Sequence, residues 1–300
     1  MIHGIRPCSP VCVYHACFPQ VPGDVERNLH NIAPPILHDH LSYLKKHYRL
    51  VFVDELAECR HSGGVAAITF DDGYKSVVTD ALPILADLDI PFTIFINSAS
   101  FDNRVFWRDK VRYIINHDLV KHCELSLHKT SKISGMSFYR YTKHPDNNSR
   151  AVDQEITEFL QSRGEDLSSN QYCFDDTRYL ANHPLVSYGN HSHNHYVLSS
   201  LSPEEQFHEI YQTQQFLASI PTIRVSRLFA VPFGDLRDYD WHTLAILKEL
   251  GYRGVLLSRQ RLNCERIESQ GLAVIERFMP RGFDMAENLL VLAKAQLGDL

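Results

Sequence analysis

Short apolar runs alternate with amphipathic segments along most of the chain. "PVCVYHA", residues 10–16, reads as a buried strand, and "ILHDHLSYLKKHY", residues 36–48, sets its apolar side chains at helical spacing. "LVFVDEL" (50–56) predicts a second strand, "AAITF" (66–70) a third and "PFTIFIN" (91–97) a fourth, with a helix, "SVVTDALPILADLD" (76–89), between the last two. Later, "LVSYG", "RLFAVP", "GVLLS" and "AVIERF" are strand-like. Two helix starts carry capping chemistry. "SPEEQFHEIYQTQQFLASI" opens on Ser202, Pro203 and Glu205, and "DMAENLLVLAKAQL" on Asp284 and Glu287. Repeated strand, helix, strand order predicts an α/β protein with mainly parallel strands, about seven of them, enough for a closed or nearly closed barrel.

The stretch from Phe101 to Pro184 breaks this rhythm. It is polar, holds helical patterns in "FWRDKVRYII" and "AVDQEITEFLQSR", has little strand character, and carries a loop-like "KHPDNNSR". It reads as a helical insertion, 101–184, within one domain spanning 1–300. No internal repeat or low-complexity tract interrupts the chain.

Composition narrows the function classes. With 300 residues, 44% hydrophobic and 22% charged, the chain has an ordinary globular mix and ample core. A net charge of −6 without long like-charge blocks argues against nucleic acid as the main partner. No apolar run approaches the roughly 18 to 20 residues that cross a bilayer. The opening "MIHGIRPCSPVCVYHACFPQ" lacks the basic-then-apolar pattern of an export signal, so the cytoplasm is the expected location. The seven cysteines form no C-x-x-C pair; Cys8, Cys12 and Cys17 are expected to be buried, reduced thiols. Sequence leaves the oligomeric state open.

Candidate chemistry begins at "TFDDGY", Thr69 to Tyr74. Two adjacent carboxylates closing a buried strand repel each other and resist burial, so they need a cation, a raised pKa or a task. Adjacent strand residues point to opposite faces, so Asp71 and Asp72 share a cavity only if the strand ends there, and Gly73 permits that turn. "YGNHSHNH", Tyr188 to His195, follows another strand and sets His191 and His195 four residues apart, a spacing that suits a zinc-type ion. Seventeen histidines make chance clusters common, so this stretch alone does not settle a site. Together the motifs do more: one carboxylate and two imidazoles form a three-ligand site with open positions, leaving the second carboxylate free as a base.

"TFDDGY" with "HSHNH" resembles the first two motifs of the polysaccharide deacetylases, the NodB-like carbohydrate esterases. "FAVPFG", Phe229 to Gly234, is similar to their third motif, and "VCVYHA" with "LSYLKKHYRLVFVDEL" to the segment before the Asp-Asp motif in some members. The resemblance covers most of the chain outside the insertion. It implies the distorted (β/α) barrel of that family and metal-assisted hydrolysis of an N-acetyl group. Asp71 would be the general base, and Asp72, His191 and His195 the metal ligands. Ser192 would support the histidine loop, and Tyr74, Pro232, Phe233 and Arg277 would lie at the substrate.

Two departures stand out. The arginine that orients the base in the third motif is replaced by Ala230-Val231, which leaves Arg277 or Arg281 as substitutes. The late strand that usually ends in the acid histidine has none. In relatives resembling the permuted poly-N-acetylglucosamine deacetylases that histidine precedes the Asp-Asp motif, and His15 occupies the place here. The implied cofactor is a divalent metal, Zn2+ first, with Fe, Co, Ni or Mn as alternatives. The implied substrate is an N-acetylated amino sugar: lipid-linked, nucleotide-linked or a small glycoside. Alternatives are another amide hydrolase of this fold, a deformylase or cyclic-amide hydrolase, and a non-catalytic carbohydrate-binding relative.

Overall fold

The computed structural model describes residues 8–58, 63–127, 135–168, 171–282 and 284–298. Residues 1–7, which enter the export-signal reading, lie outside the described residues. Nine strands are present among those described. They are β1 (Val11–Tyr14), β2 (Arg49–Leu50), β3 (Val65–Phe70), β4 (Phe92–Ile96), β5 (Val186–Asn190), β6 (Val225–Ala230), β7 (Gly254–Leu257), β8 (Ile267–Ser269) and β9 (Leu272–Glu276). A parallel path runs β1-β3-β4-β5-β6-β7-β9, with β2 beside β3 and β8 antiparallel to β9. The path curls back on itself. Just beyond β9, Phe278 bridges Cys12 of β1 in parallel sense, with Phe278 N–H donating to Val11 O and Val13 N–H to Phe278 O. The expected distorted barrel of about seven strands is the observed architecture.

Strands β3 and β4 are buried along their whole length, as a parallel sheet covered on both faces requires. That burial is why they read as unbroken apolar runs. Tyr14, Phe70 and Phe92 pack ring against ring within the main core, with centroids 5.5 and 5.7 Å apart. Each fully buried side chain of this size contributes about 1.5–3 kcal/mol.

The helices are α1 (Pro34–His47), α2 (Val53–Glu58), α3 (Leu82–Asp87), α4 (Trp107–Asn116), α5 (Val120–Ser126), α6 (Phe138–Tyr141), α7 (Ser149–Ser162), α8 (Pro203–Ala218), α9 (Trp241–Glu249) and α10 (Met285–Gly298). Proline starts α1 and its last turn carries Lys45, Lys46 and His47, which favour the helix C-terminus. A capping box of Ser202 and Glu205 opens α8, and the Asp284 carboxylate accepts the Glu287 N–H at the start of α10.

Two expectations change. "LVFVDEL" is not a full strand: pairing continues only through Arg49 and Leu50, and the chain then turns into α2, whose first turn holds Asp54 and Glu55. Acidic residues there favour a helix N-terminus. Helix α9 was not expected, although Asp240 and Thr243 form its capping box. The cysteine expectation is also corrected. Cys12 and Cys17 are buried free thiols, but Cys8 is disulfide-bonded to Cys264, because the segment before β1 runs antiparallel beside Asn263.

Between β4 and β5 the described residues contain helices α4 to α7 and no strand. Trp107, Val111, Ile114, Val152, Ile156 and Phe159 bury their side chains in the main core, so this segment is packed onto the barrel rather than appended to it.

Candidate metal centre

Five loops at the C-terminal ends of the parallel strands converge, where barrels of this kind gather reactive groups. They bring His15 after β1, Asp71 and Asp72 after β3, His191 after β5, Phe233 after β6 and Ser258 after β7 to one cavity of about 100 Å³. His30, Arg108, Arg112, Tyr139, Lys143, His195 and Met279 complete its lining. A larger cavity of about 730 Å³ lies under the 98–105 loop, α4 and α7 and reaches only Asp72 of these groups. The smaller one holds the chemistry.

Asp72, His191 and His195 form its floor. Each offers a ligand atom within 4.8 Å of the others, and all three side chains are buried. The Nε2 atoms of His191 and His195 lie 3.5 and 3.3 Å from Asp72 Oδ1. That oxygen is buried with no hydrogen-bond partner, which is costly unless a cation completes the group. His191 donates its Nδ1 hydrogen to Ala230 O at 2.8 Å, which fixes the tautomer and leaves Nε2 aimed at the centre. Two imidazoles and a carboxylate fit a first-row divalent ion with positions left open.

The turns that present these groups are locally unfavourable. Asp72, Ser192, His195 and Phe233 all have positive φ, between 62° and 71°. For non-glycine residues this costs on the order of 1–3 kcal/mol each, and it clusters at functional sites. The surroundings hold the turns in place. Ser192 Oγ accepts the His195 N–H at 2.9 Å, and Asn97 Nδ2 donates to Ser192 O at 3.0 Å. Glu209 accepts from the Asn194 N–H and side-chain amide. Gly73 has φ +71°, which glycine adopts without strain, and a Cβ there would lie tightly, 3.3 Å from the Ile96 and Phe174 side chains.

His193 stands apart from the triad. Its Nδ1 pairs with Ser98 Oγ at 2.8 Å, and burial brings its imidazole down to about 4.

Asp71 is placed differently from its neighbour. Arg277 donates Nη1–H and Nη2–H to its two oxygens at 2.7 Å each, and donates further to Thr69, Ser258 and Leu257 O. Burial alone would raise the Asp71 carboxyl; the Arg277 charge outweighs it and holds the group below the ordinary aspartate value. Asp71 Oδ2 lies 3.7 Å from His191 Nε2, beside the triad rather than within it.

Arg277, expected at the substrate, is not among the residues lining the cavity and sits where it orients Asp71. It is 0% exposed and all its donors are engaged. Arg281 is exposed and lies away from the cavity lining. Tyr74 is not among the lining residues either: it is fully buried, donating to Asp109 at 2.8 Å and accepting from Arg112 at 2.7 Å. Of the third-motif pair, Phe233 lines the cavity edge-on to His195 with centroids 4.6 Å apart, while Pro232 is buried and is not among the lining residues. His15 lines the cavity, with its Nδ1 buried and unpartnered.

Residues between β4 and β5 supply a wall that sequence reasoning missed. Trp107 Nε1–H donates to His195 O at 3.1 Å, and Arg108, Arg112, Tyr139 and Lys143 face the cavity. A signal existed in "FWRDKVRYII", where Arg108 and Arg112 sit four apart on one helix face.

The family model described as "Polysaccharide deacetylase" matches residues 59–255. No curated protein sequence matches the chain. The solved structures that share the fold include these three. The Streptococcus pyogenes deacetylase PplD is 17% identical, with TM-score 0.58 over 95% of this chain and 98% of that one. IcaB from Ammonifex degensii is 19% identical, with TM-score 0.55 over 97% and 98%. A de-N-acetylase from Aggregatibacter actinomycetemcomitans is 14% identical, with TM-score 0.52 over 93% and 98%.

Proposed function

Because the chain belongs to the polysaccharide deacetylase family, we propose that it is a metal-dependent hydrolase removing the N-acetyl group of an amino sugar. The observation that carries this reading is the division of labour between neighbours. Asp72 faces His191 and His195, while Asp71, one residue earlier, is held ionised by Arg277 outside the triad.

Asp72, His191 and His195 would hold the ion, with Zn2+ the metal proposed. Bound there, it would supply a Lewis acid for the amide carbonyl and lower the pKa of a water. Asp71 accepts the proton of the attacking water, a role that needs a carboxylate ionised at neutral pH and fixed in direction. Arg277 provides both conditions. Breaking the C–N bond requires a proton on the leaving nitrogen, and His15 is the donor proposed. Phe233 presents an apolar face beside His195 for the acetyl methyl group, and Ser192 keeps His195 in place.

The proposed substrate is lipid-linked, nucleotide-linked or a small glycoside. Residues 101–184 are proposed as an insertion shaping access within a single 1–300 domain, which the cavity positions of Arg108, Tyr139 and Lys143 support. Cytoplasmic location is likewise a proposal. Four buried free thiols support it, and the Cys8–Cys264 bond, of a kind that persists in oxidising compartments, weighs against it.

A screen of N-acetylated sugars and sugar nucleotides for free-amine release by the metal-loaded protein tests the activity. No release from any of them would sink the reading.

A further inference from the structure

The cavity wall facing the acidic pair carries cations that hydrolysis of a neutral acetamido sugar does not use. Arg108, on α4, is 1% exposed. Its guanidinium lies over the rings of Trp107, Tyr139 and Phe233, at 4.5, 4.5 and 5.5 Å from their centroids. It donates to Thr142 Oγ1 at 3.0 Å and to Tyr139 O at 3.2 Å, and its Nε–H is buried with no partner. Lys143, half-buried, holds its ammonium 5.3 and 4.8 Å from the Tyr139 and Phe233 centroids.

Among the described residues, no carboxylate forms an ion pair with Arg108 or Lys143. Arg112 shows the contrast. It is matched by Asp109 at 2.6 Å, the Tyr74 hydroxyl at 2.7 Å and Asn28 O at 3.2 Å, and so is spoken for. Asp71 is neutralised by Arg277 in the same way. Among the groups lining the cavity, what remains is Arg108 and Lys143 against Asp72, with the Asp238 carboxylate near Lys143 but outside the lining, and a divalent ion on the triad would add to the positive side. The surplus stands in a chain whose net charge is −6. A buried cation without a counter-charge is costly, and aromatic faces offset only part of that cost. A low-dielectric cleft lined with one sign of charge concentrates ligands of the other sign.

We propose that Arg108 and Lys143 form an oxyanion subsite beside the metal centre, and that the acetylated sugar carries a phosphate ester held there. Two cations without an ion-pair partner match the roughly −1.5 to −2 charge of a phosphate monoester, or the paired charges of a diphosphate linkage, better than the single charge of a carboxylate. The planar guanidinium offers a directional donor and the ammonium a point charge, as phosphate recognition commonly combines them. The assignment to a sugar phosphate rests on the deacetylase reading; the oxyanion subsite itself does not. Phosphate on the sugar is the chemistry shared by lipid-linked and nucleotide-linked amino sugars, and a neutral glycoside lacks it.

The test is a titration of the zinc-loaded full chain with inorganic phosphate, followed by calorimetry and by tryptophan fluorescence. Trp107 underlies Arg108, and Trp241, 63% exposed, is removed as background by Trp241→Phe. Saturable binding that weakens about tenfold in Lys143→Met and returns in Lys143→Arg is expected, since a hydrogen bond to a charged group is worth at least that factor. The metal is common to all three proteins, so the difference reports the lysine. Absence of saturable binding, or equal affinity in Lys143→Met, overturns the inference. Arg108→Met should lose as much; if that buried change prevents folding, the Lys143 variants decide.

Amine release separates this inference from the activity it rests on. N-acetylglucosamine 1-phosphate should be turned over at least tenfold more efficiently than methyl N-acetylglucosaminide, with UDP-N-acetylglucosamine and a polyprenyl diphosphate sugar telling the two carriers apart. Equal efficiency for the neutral glycoside overturns the phosphate assignment and leaves deacetylation standing. Phosphate bound at the two cations, with no amine released from any sugar, upholds the oxyanion subsite and sinks the deacetylase reading.

Discussion

Arg277, just past the last barrel strand, clasps the carboxylate of Asp71 through two 2.7 Å hydrogen bonds across 206 positions of sequence. The pair is fully desolvated, so each partner depends on the other. Removing one member of such a pair typically costs about 3–5 kcal/mol.

Arg277→Met should therefore destabilise the fold by that amount in denaturant titrations. It should also move the acid limb of the activity profile to higher pH. The sign follows from burial, which without the opposing charge raises the Asp71 carboxyl. Arg277→Lys should restore part of both effects. An unchanged acid limb in a folded Arg277→Met protein would contradict the positioning role.

The floor of the site was legible in the sequence because it is local. Asp71 and Asp72 announce themselves by closing an apolar run, and His191 and His195 by their spacing. The fold was legible for a similar reason, since parallel strands buried on both faces are continuous apolar runs. Groups brought in by topology were harder to read. Nothing near Arg277 in sequence tells whether it meets substrate or Asp71; the barrel's closure beside β1 decides that. The Tyr74 hydroxyl is taken by Asp109 and Arg112, which lie on a helix between β4 and β5. Cys8 and Cys264 stand 256 residues apart, too far for spacing to suggest a bond.

His15 should act late in the reaction. His15→Ala should lower kcat roughly 100- to 10,000-fold with metal content and melting temperature unchanged. His30 is the natural control, because its ring lies 5.2 Å from His15 and it lines the same cavity. A His15→Ala protein of normal kcat beside a crippled His30→Ala protein would transfer the acid role to His30.

Tyr139 should titrate early. Burial alone would raise its phenol, but Arg112, Arg108 and Lys143 together bring it down to about 8. The chain has 14 tyrosines, so the signal is read as the difference in phenolate absorbance between wild type and Tyr139→Phe. One group should titrate near pH 8. A folded value below the unfolded one contributes stability that is fully present above about pH 10 and is lost as pH falls through 8. Titration at pH 10 in the difference spectrum would show that the cations do not crowd this ring.

The most direct test of a metal-dependent deacetylase with Asp71 as its base is metal content and free-amine release measured on the same Asp71→Asn sample. Asp72→Asn, His191→Ala and His195→Ala serve as references that should lose metal. Asp71→Asn should keep wild-type metal content while amine release falls roughly 100- to 10,000-fold, because an amide cannot accept the water's proton. Wild-type amine release from Asp71→Asn, or loss of its metal while Asp72→Asn retains metal, would contradict the assignment.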